Sequence, residues 1–343
     1  MTTYDAIYAR PFAMKEIVLL ALDNGIASTL IGPLEIFAYT GGMWNYLAGE
    51  PLKPAFRVTV VSANGKPVRS RTGLVINVDA AMADIRHADA ILVTSCGDDI
   101  DGAINNSDPA VKWLKEHYRK GAILGSICSG IAVLAMTGLL DGKKATTHWG
   151  MIEHFRKRFR AINFQPDQLL VDEGRLVTAG GGYAGNDLAL YMVEKICGKV
   201  ISRQCADALL LETGRQLQTP FAGLLQHRLH ADERIQAIQK WLDNHYREEI
   251  NLDELAIKHN MSPRNFIRRF KQASGETPLT YLQKLRVEAA KTLLEKTRKK
   301  IDVIAIEVGY RTEAHFRQLF RRYTSLTPVG FRSKHADSSV FTK

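Results

Sequence analysis

Short, almost wholly apolar runs recur along the first 200 residues and alternate with segments of helical periodicity. Runs of this length suit strands that are buried on both faces of a parallel sheet. The predicted strands cover residues 17–22, 56–63, 90–95 and 122–127, a predicted hairpin covers 169–177, and predicted helices cover 108–120, 129–140 and 186–197. The alternation predicts a flavodoxin-like, three-layer α/β domain over residues 15–200.

From about residue 200 onward the pattern is helical only. Residues 201–231 are predicted to be a linker that includes one helix, because Thr-Gly at 213–214 and Thr-Pro at 219–220 interrupt the periodicity. Residues 232–332 are predicted to form an all-α domain.

A sequence repeat lies within this second domain. Residues 255–278 (LAIKHNMSPRNFIRRFKQASGETP) and 304–328 (IAIEVGYRTEAHFRQLFRRYTSLTP) share their small, aromatic and proline positions. Each copy predicts a short helix, a tight turn at Asn260 or Gly309, an N-cap at Ser262 or Thr312, and a second amphipathic helix. Two copies joined by one helix predict two helix-turn-helix units.

The second helix of each copy places aromatic residues on one face and basic residues on the other. The phenylalanines at 266 and 270, and at 316 and 320, are four residues apart and predict a shared buried face. The opposite faces predict contacts with double-stranded DNA. A helical bundle with solvated lysines and arginines would share this pattern, but the repeat favours the DNA-binding interpretation.

The distribution of charge agrees with this interpretation. The net charge of the chain is +10, and residues 233–343 contain 22 lysines and arginines against 13 carboxylates, whereas residues 1–232 contain 24 against 23. A basic domain beside a neutral one is typical of nucleic-acid-binding proteins.

Residues 232–332 resemble the DNA-binding domain of the AraC/XylS family, in which both recognition helices contact DNA. The chain departs from the family where Thr324–Ser325 replaces an aromatic residue followed by glycine, and at Gln318, where arginine is common. The residues predicted to bind DNA are Arg264, Arg268, Arg269 and Lys271 in the first copy and Glu313, Ala314, Arg317, Gln318, Arg321 and Arg322 in the second.

The sequence Gly-Ser-Ile-Cys-Ser-Gly at residues 125–130 follows a predicted strand and opens a predicted helix. This pattern predicts a sharp turn at Cys128, like the turn that holds the nucleophile in some hydrolases. The positive end of a helix favours a thiolate, and the turn's backbone amides favour a carboxylate or carbonyl oxygen. A structural cysteine is the alternative.

The Cys128 turn, the Ile-Gly-Pro-Leu-Glu-Ile-Phe segment at 31–37, the Thr-His-Trp segment at 147–149 and TAGGGYAGNDLAL at 178–190 resemble the PfpI-like branch of the class I glutamine amidotransferases. The resemblance implies that Glu35 lies beside the cysteine, and that a fused regulator of this kind responds to amino acids, betaines or related metabolites. Hydrolytic members place histidine directly after the cysteine, where this chain has Ser129. The predicted ligand-binding residues are Glu35, Cys128, Ser129, His148 and Trp149.

These observations predict a transcription regulator controlled by a small molecule, with no catalytic residue, metal or cofactor. The alternatives are a DNA-tethered cysteine hydrolase or hydratase and an architectural DNA-binding protein. A homodimer is expected, RNA polymerase is a candidate partner, and a membrane partner is not expected because no apolar run reaches about 18 residues. Four cysteines without disulfide or zinc spacing favour the cytoplasm.

Overall fold

A computed structural model describes residues 14–218, 221, 224–228 and 230–335. It divides the chain into two compact units, Met1–Gln218 and Thr219–Lys343. The predicted linker, residues 201–231, includes positions on both sides of this division, and its Thr-Pro break lies outside the described residues. Among the described helices, none is both long and apolar enough to span a membrane.

The first unit is built on a seven-stranded sheet in the order β10-β11-β7-β6-β1-β2-β5, parallel except for the β10–β11 hairpin. The predicted strands and hairpin are confirmed. The strands are β1 (Lys15–Leu20), β2 (Phe56–Ser62), β3 (Val68–Arg69), β4 (Val75–Ile76), β5 (Ala80–Ala81), β6 (Ala90–Val93), β7 (Ile123–Ile127), β8 (Lys144–Ala145), β9 (Asn163–Phe164), β10 (Leu170–Asp172) and β11 (Leu176–Ala179).

Helices cover both faces of the sheet. Because successive side chains of a strand point to opposite faces, alternate residues pack into two different cores. In β1, Ile17 and Leu19 pack with α1, α7 and α8, whereas Val18 and Leu20 pack with α3 to α6. This arrangement confirms the flavodoxin-like, three-layer fold. The helices are α1 (Ser28–Tyr39), α2 (Met43–Leu47), α3 (Ile100–Asn105), α4 (Asp108–Arg119), α5 (Ile131–Ala135), α6 (Ile152–Arg158), α7 (Ala184–Cys197) and α8 (Lys199–Ala208).

One predicted helix is shorter than its periodicity indicates. The prediction for residues 129–140 is wrong at both ends, because a 3-10 turn at Cys128–Gly130 precedes α5 and the helix ends at Ala135. Gly138 then adopts a φ of 72°, which a continuing helix does not allow.

The second unit is helical and is organised around two hydrophobic cores. The first half of the helix at Pro278–Lys296 contributes Tyr281, Leu282 and Leu285 to one core, and its second half contributes Val287 and Ala290 to the other. The predicted joining helix and both helix-turn-helix units are therefore confirmed as elements. The helices are α9 (Glu233–His245), α10 (Leu252–Lys258), α11 (Pro263–Ser274), α12 (Pro278–Lys296), α13 (Ile301–Glu307), α14 (Glu313–Thr324) and α15 (Pro328–His335).

Different residues end α11 and α14, although the two helices are equivalent in the two copies of the repeat. Gly275 follows α11 with a φ of 83°, and Ser325 follows α14 with a φ of 62°. A left-handed conformation costs a residue with a Cβ about 1–2 kcal/mol. We expect Ser325→Gly to raise the free energy of unfolding by about 1 kcal/mol, and Gly275→Ser to lower it by a similar amount, in urea titrations of the full chain. Loss of stability in Ser325→Gly would contradict this account of the turn.

Candidate DNA interface and effector site

The two recognition helices, α11 and α14, begin and pack in the same way. The Ser262 side chain accepts a hydrogen bond from the Asn265 amide, and the Thr312 side chain accepts one from the His315 amide. The predicted N-caps are therefore confirmed. Each helix also buries its pair of phenylalanines, at 266 and 270 and at 316 and 320, which leaves the opposite face available.

The available face of α11 carries three of its four predicted DNA-binding residues. Arg264, Arg268 and Lys271 are exposed and follow one another at helical spacing. The Arg268 guanidinium donates to Asn265 Oδ1 at 2.8 Å and to Gln272 Oε1 at 3.3 Å. These two contacts hold Arg268 along the exposed face of α11.

The corresponding face of α14 is also exposed and mostly basic. Arg317 pairs with Glu313 one turn earlier, and the Arg322 guanidinium lies 5.7 Å from the centre of the Tyr323 ring. Glu313 is half-buried. The exposed predicted residues of this helix are Ala314, Arg317, Gln318, Arg321 and Arg322.

Arg269, the fourth basic residue predicted on α11, is held by an acidic partner instead of lying free on that face. Its Nε donates to Asp232 Oδ2 at 2.7 Å and its terminal nitrogen donates to Asp232 Oδ1 at 3.0 Å. Asp232 is also the N-cap of α9, where its side chain accepts from the Ile235 amide. Arg269 therefore fastens α11 to α9.

The Asp232–Arg269 pair makes the stability of this unit depend on pH. The hydrogen bond from Arg269 holds the pKa of Asp232 below its ordinary value. A carboxylate of this kind stabilises the fold above its unfolded-state pKa of about 3.9, and the effect is lost as pH falls through its lower folded-state pKa. We expect Asp232→Asn, which keeps a good N-cap, to lower the free energy of unfolding by about 0.5–1 kcal/mol at pH 7. In urea titrations, the difference in the free energy of unfolding between wild type and variant should shrink near pH 3. An equal difference at both pH values would contradict the assignment of this stabilisation to the ionised Asp232 carboxylate.

The predicted sharp turn at Cys128 is confirmed. Cys128 has a φ of 56°, which is rare for a residue other than glycine. It follows β7 directly, and the ends of the neighbouring strands β6 and β11 bring Ser95 and Gly180 to the same edge of the sheet. The Cys128 amide donates to Gly180 O at 3.0 Å. Ligand sites in such folds lie at this carboxyl edge.

Hydrogen-bond donors surround the Cys128 sulfur. The Ser129 and Gly182 amides and the Ser95 and Ser129 hydroxyls each act to lower the pKa of the thiol, and the two hydroxyls, 2.9 Å apart, also form a hydrogen bond with each other. Burial nevertheless dominates, because Cys128 is only 1% exposed, and it raises the pKa of the thiol above its ordinary value. The expectation that the turn favours a thiolate is therefore wrong: the penalty of burying the charged form exceeds the stabilisation by the donors.

His148 and Trp149 lie next to the same turn. The Thr147 hydroxyl donates to Cys128 O at 2.8 Å, and the His148 ring packs so tightly on Gly181 that a Cβ there would lie 1.9 Å from Cδ2. The His148 Nδ1 accepts from the Gly150 amide at 3.0 Å, and the His148 and Trp149 ring centres are 5.0 Å apart. Burial lowers the pKa of His148, which favours the neutral imidazole.

Glu35 is not part of this arrangement. The buried face of α1 consists of residues 29, 30, 33, 36 and 37, and Glu35 projects from the exposed side. Thr29, from the buried face, takes part instead: its hydroxyl accepts from the Ser95 amide at 3.1 Å. The structure thus brings together Cys128, Ser129, His148 and Trp149 and leaves Glu35 apart. Sequence reasoning missed Thr29 and Ser95, although Ser95 is the last residue of a predicted strand whose end faces this edge.

Sequence comparisons identify both units. Residues 30–195 match the DJ-1/PfpI family, and residues 255–334 match a helix-turn-helix domain family. The first unit is similar to a THiJ/PfpI family protein from Pseudomonas syringae, with a TM-score of 0.52 and 21% identity over 63% of this chain and 83% of that one. At 21% identity, this similarity supports the assignment of the fold and nothing further.

Two curated relatives are similar over most of their length. The HTH-type transcriptional regulator GbdR of Pseudomonas aeruginosa is 29% identical over 92% of this chain and 83% of that protein. The HTH-type transcriptional regulator GlxA of Rhizobium meliloti is 26% identical over 84% of this chain and 88% of that protein. The chain therefore carries a DJ-1/PfpI domain followed by an AraC-type helix-turn-helix domain, and its relatives over most of their length are HTH-type transcriptional regulators.

Proposed function

We propose that this regulator binds a specific operator through α11 and α14. It responds to a small metabolite bound at the carboxyl edge of the sheet beside Cys128, which we call the Cys128 edge. The observation that supports DNA reading most strongly is the matched exposure of the two recognition helices. Each helix buries its aromatic pair and presents its basic face. Arg264, Arg268, Arg317 and Gln318 are the proposed base-reading residues, and Lys271, Arg321 and Arg322 the proposed phosphate contacts.

The proposed effector carries a carboxylate or carbonyl oxygen. The amides of Ser129 and Gly182 and one hydroxyl of the hydrogen-bonded Ser95–Ser129 pair face the Cys128 sulfur, and the proposal is that they donate to an anionic or polar oxygen of the effector when the site opens. His148 and Trp149 supply half-buried rings beside these donors, which suit an alkyl or cationic group. Amino acids and betaines combine these two features and are the first compounds to test.

The proposed role of Cys128 is structural and ligand-binding rather than catalytic. Its thiol is buried and protonated at neutral pH, and the residue that follows is Ser129, which cannot serve as a general base as histidine does. An attack by this sulfur would require both deprotonation and opening of the turn. These features favour the regulator over the alternative of a DNA-tethered hydrolase.

The effector proposal is tested by thermal unfolding of the full chain with a panel of amino acids, betaines and their amides. Binding to the native state should raise the melting temperature of the first unit. Each compound that binds is then incubated with wild type and with Cys128→Ser and analysed by mass spectrometry. Recovery of unchanged compound from both proteins is expected, whereas conversion by wild type that Cys128→Ser abolishes would establish the enzyme instead.

We further propose that the regulator is a homodimer that recruits RNA polymerase at paired half-sites. Two copies of a chain with two recognition helices favour operators with elements repeated at helical-turn spacing. Sedimentation of the full chain with and without operator should give a dimer. A monomer under both conditions would contradict this part of the proposal.

A further inference from the structure

The chain leaves its first unit through a short run, residues 215–218, which we call the exit segment. This segment lies alongside residues 167–169: the Leu169 amide donates to Gln216 O at 2.9 Å, and the Gln218 amide donates to Asp167 O at 3.0 Å. The Gly180 amide in turn donates to Leu169 O at 2.8 Å. The backbone of Leu169 therefore connects the exit segment to Gly180, whose carbonyl accepts the hydrogen bond from the Cys128 amide.

The Gln218 side chain makes a second, closer connection. It is 2% exposed, and its Nε2 donates to Thr147 O at 2.9 Å, to Thr146 Oγ1 at 3.1 Å and to Gln168 O at 3.1 Å. Its Oε1 accepts from the Trp149 amide at 3.0 Å. One buried amide thus binds the backbone on both sides of His148.

Arg215, at the start of the exit segment, is bound to the other loop of the site. Its guanidinium forms a bidentate pair with Asp187, whose side chain is 8% exposed, and donates to Tyr183 O at 3.3 Å. Asp187 lies in the first turn of α7, directly after the Gly182–Tyr183 turn that donates to the Cys128 sulfur. The loop at residues 146–149 and the loop at residues 182–187 are therefore both hydrogen-bonded to the exit segment.

We propose that Gln218, assisted by Arg215, couples the state of the effector site to the chain that leads into the DNA-binding unit. This inference rests on the proposed function and adds the residues that carry the regulatory signal. Cys128 and Ser129 are buried, so a ligand that reaches them requires neighbouring residues to move, and the neighbours bonded to Cys128 include Thr147 and Gly180. Movement of residues 146–149 breaks hydrogen bonds of Gln218, whose buried amide then needs new partners, and movement of Tyr183 breaks its hydrogen bond from Arg215. The exit segment consequently has two arrangements, and the occupant of the site selects between them.

Alkylation of Cys128 by iodoacetamide measures the opening of the site without a known effector. Peptide mass spectrometry separates Cys128 from the other cysteines. We expect Gln218→Ala to speed the labelling of Cys128 by roughly tenfold or more, since a buried partner left without its hydrogen bond shifts an opening equilibrium by about that factor. Gln216→Ala is the matched control, because the Gln216 side chain is exposed on the same segment, and it should label as slowly as wild type.

Coupling is then measured with a DNA duplex that wild type selects from a random pool. Saturating duplex should change the Cys128 labelling rate of wild type and Gln216→Ala by about fivefold or more, in either direction, because coupling between sites is reciprocal. In Gln218→Ala the rates with and without duplex should be equal. Gln218→Glu, which keeps the acceptor for Trp149 but removes the donors, provides the same test if Gln218→Ala does not fold.

The outcomes separate this inference from the proposed function. If wild type selects no duplex, the proposed function fails and the inference fails with it. If wild type binds its duplex but Cys128 labelling does not respond, or if the response persists in both Gln218 variants, DNA binding stands and the coupling role of Gln218 is overturned.

Discussion

Replacing Gly309 with valine is expected to unfold the second helix-turn-helix unit. Gly309 has a φ of 93°, and a Cβ at this position would lie 2.8 Å from Tyr246 O and 3.0 Å from Arg247 O. Valine would therefore combine a disfavoured backbone conformation with collisions against main-chain atoms that cannot move independently. We expect a loss on the order of 3 kcal/mol or more in the free energy of unfolding, together with loss of operator binding.

Calorimetry and hydrogen exchange across α13 and α14 measure this effect. Asn260, at the equivalent position of the first copy, has a φ of 55°, so Asn260→Gly is the control and should cost little or nothing. Unchanged melting and unchanged DNA binding in Gly309→Val would show that the turn does not constrain the unit as its geometry indicates.

Replacing Arg268 with alanine is expected to relax the sequence preference of the regulator at one or two base pairs. Asn265 and Gln272 hold its guanidinium on the exposed face of α11, and we expect it to read a guanine edge there. Such a contact contributes about 1–3 kcal/mol of discrimination. A selection from random duplexes with the Arg268→Ala variant should therefore return a motif that is degenerate at those positions.

Lys271 provides the contrast, because it lies on the same face and is proposed to contact phosphate. Lys271→Ala should weaken binding to all duplexes alike and reduce the slope of log K against log salt by about one. An identical motif and affinity for wild type and Arg268→Ala would exclude Arg268 from base reading.

Local sequence rules were enough to predict most of the fold. The turn residues Asn260 and Gly309 and the N-caps Ser262 and Thr312 are where the repeat placed them, because each depends on its own backbone and near neighbours. The buried strands were equally predictable, since a short, continuous apolar run between turn residues is typical of a strand that is buried on both faces.

Contacts between residues far apart in the chain were not predictable. Asp232 and Arg269 are 37 positions apart, and Gln218 and Thr146 are 72 apart, so no local pattern pairs them. The protonation of Cys128 was wrongly predicted for the same reason. A helix end is visible in the sequence, whereas the burial that outweighs it comes from several strands at once. Glu35 lies on the exposed side of α1, and the sequence pattern did not show which side of that helix faces the sheet.

Selection of duplexes from a random pool by the full chain, followed by a salt titration, tests whether the protein binds DNA in a sequence-specific way. We expect one enriched motif whose elements are spaced by about one helical turn, bound at least about a thousandfold more tightly than unrelated DNA. We also expect log K to fall linearly with log salt. Equal affinity for all duplexes, or affinity that does not change with salt, would contradict the claim that this protein is a sequence-specific DNA-binding regulator.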